Sequence, residues 1–200
     1  MKKEFKNLLV GLTLGDGHIT KDGKSLRIQH SSKQKDYLQY KIDLINSYLG
    51  ESKVTIHEFN NNGYPGVRTW YFNSFCKYIR KWLYKDGYKK IKKELLYRLT
   101  DREIAIWYMD DGSLYESHKG TGYAELVIST YCETEEEALD IIEFMQSRYD
   151  VRFTIKRNKG KFSIRCGKQA AKKFLNKIQP YIIESMKYKT FENPKWNLKK

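Results

Sequence analysis

Apolar and polar positions along this chain fall into short periodic runs that predict alternating helices and strands. FKNLLVGLTL is apolar at almost every turn, which predicts a buried helix over about Phe5 to Leu14, ended by Gly15-Asp16-Gly17. SLRIQH, from Ser25, alternates and predicts a strand. From Lys33 to Gly50, Leu38, Ile42, Ile45 and Leu49 recur at helical spacing, with Gly50 as the stop. Two more strands are expected around Val54-Thr55-Ile56 and over Val67 to Phe72, then a helix from Ser74 to Leu83.

The same order then returns. Asp101 is placed to cap a helix running to about Met109, ended by Asp110-Asp111-Gly112. YAELVISTY, from Tyr123, is rich in strand formers. Thr134 to Glu137 forms a capping box that opens a helix reaching about Tyr149. Val151 to Arg157 and Lys161 to Cys166 alternate as a hairpin around Asn158-Lys159-Gly160, and a helix from Lys168 to Ile178 stops at Pro180. The pattern α-β-α-β-β-α occurs twice, which predicts an α+β chain of two pseudo-twofold repeats with antiparallel sheets. The first repeat is expected over 1–84 and the second over 101–200, joined by a basic linker at 85–100. Each repeat is too small to cover both faces of its own sheet, so a shared core is expected.

Alternation also sorts the strand faces. Arg27 and Gln29 share one face of the first strand; Lys53, Thr55 and His57 oppose Val54 and Ile56; Arg68 lies with Trp70. In the second repeat, Arg152, Thr154 and Lys156 oppose Val151, Phe153 and Ile155, while Lys161, Ser163 and Arg165 oppose Phe162, Ile164 and Cys166. A half-buried sheet alternates anyway. Here both repeats show a Lys- and Arg-bearing wet face with few acids, as two sheets lining a saddle in a duplex major groove would need. The helix carrying Glu133, Glu135, Glu136, Glu137, Asp140 and Glu143 is expected to face away from nucleic acid.

Charge sharpens this picture. The chain has 200 residues, 38 Lys+Arg against 24 Asp+Glu, and a net charge of +14. Most of that excess lies before residue 101, and Lys77 to Lys93 holds eight basic residues and one acid, interleaved with Tyr78, Trp82, Tyr84 and Tyr88. A polyanionic partner is implied. The longest apolar run, LLVGLTLG, is too short to cross a bilayer, and MKKEFKN lacks a signal-peptide pattern. Cys76, Cys132 and Cys166 are too few and too scattered for a disulfide framework or zinc site. They read as reduced core residues of an intracellular protein, in a bacterial or phage-infected cytoplasm or an organelle matrix. His18, His30, His57 and His118 are scattered and read as turn or surface residues, and the tryptophans as core, with Trp70 the exception.

Two segments set the phase of the repeat: LVGLTLGDG, Leu9 to Gly17, and IAIWYMDDG, Ile104 to Gly112. Each is an apolar helix ending in Asp-Gly, with Asp16 and Asp111 in register. Gly11 and Gly15 give the first helix a smooth face for close packing. Carboxylates at helix C-terminal ends face the negative end of the macrodipole and call for a cation, for which magnesium is the natural occupant.

These segments resemble the paired motifs of the LAGLIDADG homing endonucleases, in the single-chain branch that contains the yeast mitochondrial omega-intron enzyme. WYMDDG and the later MKYK, Met186 to Lys189, carry the resemblance to that branch. It spans about Phe5 to Phe191 and implies repeats of αββαββα type with the two motif helices packed at the centre. It implies that Asp16 and Asp111 bind metal, with the backbone carbonyls of Gly15 and Asp110. It also implies a catalytic lysine near each site: Lys189 for one, and for the other a residue of Lys89-Lys90-Ile91, where Lys90 is chosen. Ile106 and Asp110 depart from the family's small residues at the helix contact, without removing a metal ligand.

The implied activity is site-specific cleavage of double-stranded DNA at a long asymmetric target by a monomer, with two or three Mg2+ ions and Mn2+ as a substitute. The rival readings are an RNA maturase of the same fold, with its own intron RNA as partner, and a DNA-binding regulator without cleavage. Lys168, Lys172, Lys173 and Lys177 form a basic patch that would suit the maturase. No membrane partner is expected.

Overall fold

A computed structural model describes residues 2–51, 53–117 and 122–196. The chain divides into two compact units, Met1–Lys89 and Lys90–Lys200.

The first unit opens with α1 (Lys3–Leu14), buried at every residue from Leu8 onward. A helix apolar on all sides is stable only when surrounded. Its exit is fixed by Gly17, whose amide donates to the Leu12 carbonyl at 3.0 Å. A Cβ at Gly17 would stand 2.3 Å from that same oxygen, so no other residue fits. The chain continues through β1 (His18–Ile19), β2 (Ser25–Ser31), α2 (Lys35–Asn46), β3 (His57–Asn61), β4 (Tyr64–Phe72) and α3 (Phe75–Leu83). The sheet is antiparallel in the order β1-β2-β4-β3. The unit closes on a small hairpin, β5 (Tyr84–Lys85) with β6 (Tyr88–Lys89).

The second unit repeats this plan. After α4 (Lys93–Leu96) come α5 (Asp101–Asp111), β7 (Gly112–Glu116), β8 (Ala124–Cys132), α6 (Glu135–Tyr149), β9 (Thr154–Asn158), β10 (Lys161–Gly167) and α7 (Lys168–Ile178). Its sheet order, β7-β8-β10-β9, matches the first. A 3-10 segment, Glu184–Lys189, follows. The exit of α5 is fixed as that of α1 is: a Cβ at Gly112 would lie 2.4 Å from the Tyr108 carbonyl oxygen. No helix among the described residues is long and apolar enough to cross a membrane.

Three local expectations are corrected. Val54-Thr55-Ile56 is no strand; the Asn46 amide donates to the Val54 carbonyl at 3.0 Å and accepts its N–H at 2.8 Å, satisfying that backbone without a ladder. Asp101 is not the cap of α5: Thr100 is, in a capping box with Glu103, while Asp101 accepts from Arg148 and from the Tyr149 hydroxyl. The hairpin strand begins at Thr154, not Val151. The stretch from 85 to 100 is also structured, holding the end of the β5–β6 hairpin and α4.

Candidate active site and nucleic-acid interface

In the first unit, Gly15 is buried and Asp16 emerges exposed from the end of α1. Lys89, on β6, donates its ammonium to the Gly15 carbonyl. Behind Asp16 stands His30 of β2, its Nδ1 3.4 Å from Asp16 Oδ2.

The second unit has the matching arrangement. Asp110 and Asp111 end α5 half-buried. Lys189 donates to the carbonyls of Met109 at 2.5 Å and Asp110 at 3.0 Å. The lysine is tied from its other end too, because the buried Tyr108 hydroxyl donates to the Lys189 carbonyl at 2.6 Å. Burial pushes that phenol far above its ordinary pKa, so it remains a donor. Gly15 and Asp110 hold the same motif position, one residue before Asp16 and Asp111.

The structure therefore brings Lys189 to its motif helix but not Lys90. Lys90 pairs at 3.0 Å with Glu137 of acidic α6, and it is the neighbouring Lys89 that meets the motif carbonyl. Two adjacent residues at the β6 edge point differently, and one sequence offers no way to choose between them.

The ends of α1 and α5 offer carboxylates and helix-terminal carbonyls. This all-oxygen set suits a hard divalent cation such as Mg2+ or Mn2+ rather than a thiolate-seeking metal. A carbonyl that accepts a lysine N–H keeps a second lone pair for an ion. The ligand set thus fits such a cation within each unit.

The sheet faces hold most of the expected contact residues. On the first sheet, Arg27 pairs in register with Trp70, and Gln29 and His57 both flank Arg68. Arg27, Gln29 and His57 are exposed, and Arg68 and Trp70 half-exposed. The Arg68 guanidinium lies 4.9 Å from the Phe59 ring centroid and 4.7 Å from that of Trp70, which also meets His57 edge-on at 5.3 Å. Trp70 thus belongs to the polar face rather than the core. Lys53 and Thr55 are exposed but lie outside the sheet.

On the second sheet, Thr154 and Arg165 are exposed and Lys156 and Lys161 half-exposed, with Arg152 exposed just before β9. Ser163 lies opposite Lys156 in register but is buried, contrary to expectation. Its short side chain lies between the long ones of Lys161 and Arg165, beside a register shift in the β8–β10 ladder.

The expectation of few acids is also corrected here. Glu125 of β8 accepts from Lys156 at 3.2 Å, from Arg165 at 3.1 Å and from the Tyr115 hydroxyl. Burial pushes its carboxyl up, but these hydrogen bonds and charges outweigh burial and hold it below its ordinary value. Lys161 pairs with Glu133, and Arg157 with Glu135 at 2.6 Å. Glu125 was visible in the alternation of YAELVISTY, which sets it beside Val127 on the sheet's polar side. His118 lies outside the described residues.

Residues 6–174 match the LAGLIDADG DNA endonuclease family. The chain belongs to this family. A probable intron-encoded endonuclease of Wickerhamomyces canadensis is 31% identical over 200 residues, covering 96% of this chain and 86% of that protein. The solved structure of the homing endonuclease I-WcaI bound to its DNA recognition sequence superposes with a TM-score of 0.77 at 30% identity, over 94% of this chain and 86% of that one. The cytochrome b mRNA maturase bI2 of Saccharomyces cerevisiae is 31% identical over 92% of this chain, which spans only 46% of that longer protein.

Proposed function

We propose that this chain is a site-specific homing endonuclease that cuts both strands of a long, asymmetric DNA target as a monomer, using Mg2+ or Mn2+. One observation carries the reading. Each unit ends its motif helix in an acid before glycine, and each sets a lysine against the carbonyl preceding that acid. Its likeness to a probable intron-encoded endonuclease and to a DNA-bound homing endonuclease supports it, and encoding by a mobile intron is part of the same reading.

Asp16 with the Gly15 carbonyl, and Asp111 with the Asp110 carbonyl, would hold the cations. A bound divalent ion supplies an activated water and charge stabilisation at the scissile phosphate. The protein's part is placement. The acids sit at the ends of rigid helices, and Lys89 and Lys189 stand where a positive charge counters that building on a phosphate. Arg27, Gln29, His57, Arg68 and Trp70 on the first face, and Arg152, Thr154, Lys156, Lys161 and Arg165 on the second, would contact DNA. Lys53 and Thr55 would contact it from the segment before β3.

Cleavage selection from a randomised duplex library with Mg2+ tests this reading. A single non-palindromic consensus spanning about two helical turns is expected; a short palindrome, or no cleavage of any member, would refute it. Binding to that site should weaken steeply with salt: roughly eight phosphate contacts give a log–log slope of about −7. A second reading, RNA maturase, is favoured by the likeness to bI2 and by exposed Lys168, Lys172 and Lys177 on α7. Splicing of a cognate intron RNA stimulated by the chain without DNA cleavage would select it.

A further inference from the structure

Lys41, in the middle of α2, is completely buried. A lysine stem usually lets its charged end reach water, so a side chain held wholly inside has a polar partner that keeps it there. Lys41 Nζ lies 3.1 Å from Nε2 of His30 and 4.3 Å from the Tyr37 ring centroid, a cation–π distance. The His30 side chain is itself only 2% exposed, and its other nitrogen, Nδ1, faces Asp16 Oδ2 at 3.4 Å, where the carboxylate is 41% exposed. A polar chain therefore runs within the first unit from α2 through β2 to the acid that ends α1.

Hydrogen-bond chemistry gives this chain a direction. An ammonium offers donors only. With Lys41 as the donor, Nε2 of His30 accepts, which leaves the ring proton on Nδ1, facing Asp16. With Nδ1 protonated, His30 serves as a donor to Asp16 and not as a metal ligand; ligation through Nδ1 would move the proton to Nε2, against the Lys41 donors. We propose that His30 is a positioning residue for Asp16, held in its Nδ1–H tautomer by Lys41. Fixing one carboxylate oxygen leaves the other aimed outward for a cation, as partners behind metal ligands commonly do.

The second repeat carries other residues at these positions. In the repeat, α6 and β8 take the places of α2 and β2, with Ile141 at the position of Lys41 and Thr130 at that of His30. Ile141 is buried, and the Thr130 hydroxyl donates to the Phe162 carbonyl at 3.0 Å. The equivalent positions thus hold no histidine–lysine pair, and the effect of His30 should follow that of Asp16. This inference rests on the reading that Asp16 carries a cation.

Three measurements on the whole 200-residue chain test it. In 15N-resolved NMR of the metal-free protein, the His30 ring shifts should report Nδ1–H in the wild type, and Lys41→Met should release that preference while the fold is retained. An Nε2–H ring in the wild type would overturn the proposal. Mn2+ binding, read by electron paramagnetic resonance of the free ion, should weaken roughly tenfold or more in His30→Ala. His30→Asn, whose amide N–H sits where Nδ1 does, should recover it, and His30→Gln should not. The alanine variant should also slow whichever strand or strands Asp16→Asn slows. Mn2+ affinity lost in Asp16→Asn but unchanged in His30→Ala would refute the positioning role alone. Affinity unchanged in Asp16→Asn would refute the metal role of Asp16 itself.

Discussion

Lys189 Nζ lies 3.0 Å from the carbonyl oxygen of Asp110, the residue immediately before the acid that ends the second motif helix. Its counterpart in the first unit is Lys89 on the Gly15 carbonyl. Lys189→Ala and Lys89→Ala should each slow cleavage by about 10²–10³, the usual cost of removing one preorganised electrostatic group, with little change in DNA affinity. Lys90→Ala, which removes the half-exposed partner of the buried Glu137 carboxylate and no contact to either motif, should leave the rate nearly unchanged. Single-turnover rates beside equilibrium binding decide this; equal losses in rate and affinity for Lys189→Ala would reduce it to a binding residue.

Tyr108→Phe removes the hydroxyl that holds the Lys189 backbone. A folded protein cleaving roughly ten- to a hundredfold more slowly is expected, because a displacement near 1 Å at a reacting group costs on that scale. An unchanged rate would show that the 3-10 segment holds Lys189 without help.

Much of the fold was legible because its signals were local. The apolar saturation of α1 and the Asp-Gly exits located both motif helices, and the repeat order gave two equivalent sheets. The missed parts depend on contacts distant in sequence. Asn46 satisfying Val54 stands in place of the strand expected around Val54-Thr55-Ile56, and which of Lys89 and Lys90 faces the motif depends on the β5–β6 hairpin. The Glu125 cluster joins four strands, so its pairing could not be read from any one of them. His30 read as a turn or surface residue because the histidines are scattered, and its burial against Lys41 joins β2 to α2.

Glu125→Gln should release Lys156 and Arg165 from their shared carboxylate. Affinity for random-sequence DNA should rise and its salt slope steepen by up to about one phosphate contact, while discrimination for the selected target falls. Competition binding at two salt concentrations measures both; unchanged discrimination would place the Glu125 cluster outside the base-reading surface.

The three cysteines are buried, and burial pushes the thiols of Cys132 and Cys166 up to about 11 and 12. Their folded pKa values are raised, so the associated stability is fully present below the unfolded thiol's range near 8.5 and is lost as pH climbs through 11 to 12. Iodoacetamide at neutral pH should therefore label them only on unfolding. Rapid labelling of the native protein would contradict their burial.

Thr100→Ala removes one half of the capping box at the start of α5 and should lower stability by about 1 kcal/mol, read from the urea midpoint. Cleavage at permissive temperature should survive, since Asp111 lies at the other end of that helix.

The most direct test of the paired-acid account is plasmid cleavage by Asp16→Asn and Asp111→Asn. The amide preserves shape and removes the charge that would hold a cation, so target binding should persist in both. Each variant should leave a supercoiled plasmid bearing the target nicked or uncut, with no linear product at a rate near wild type. Linear product from either variant at the wild-type rate would contradict the account.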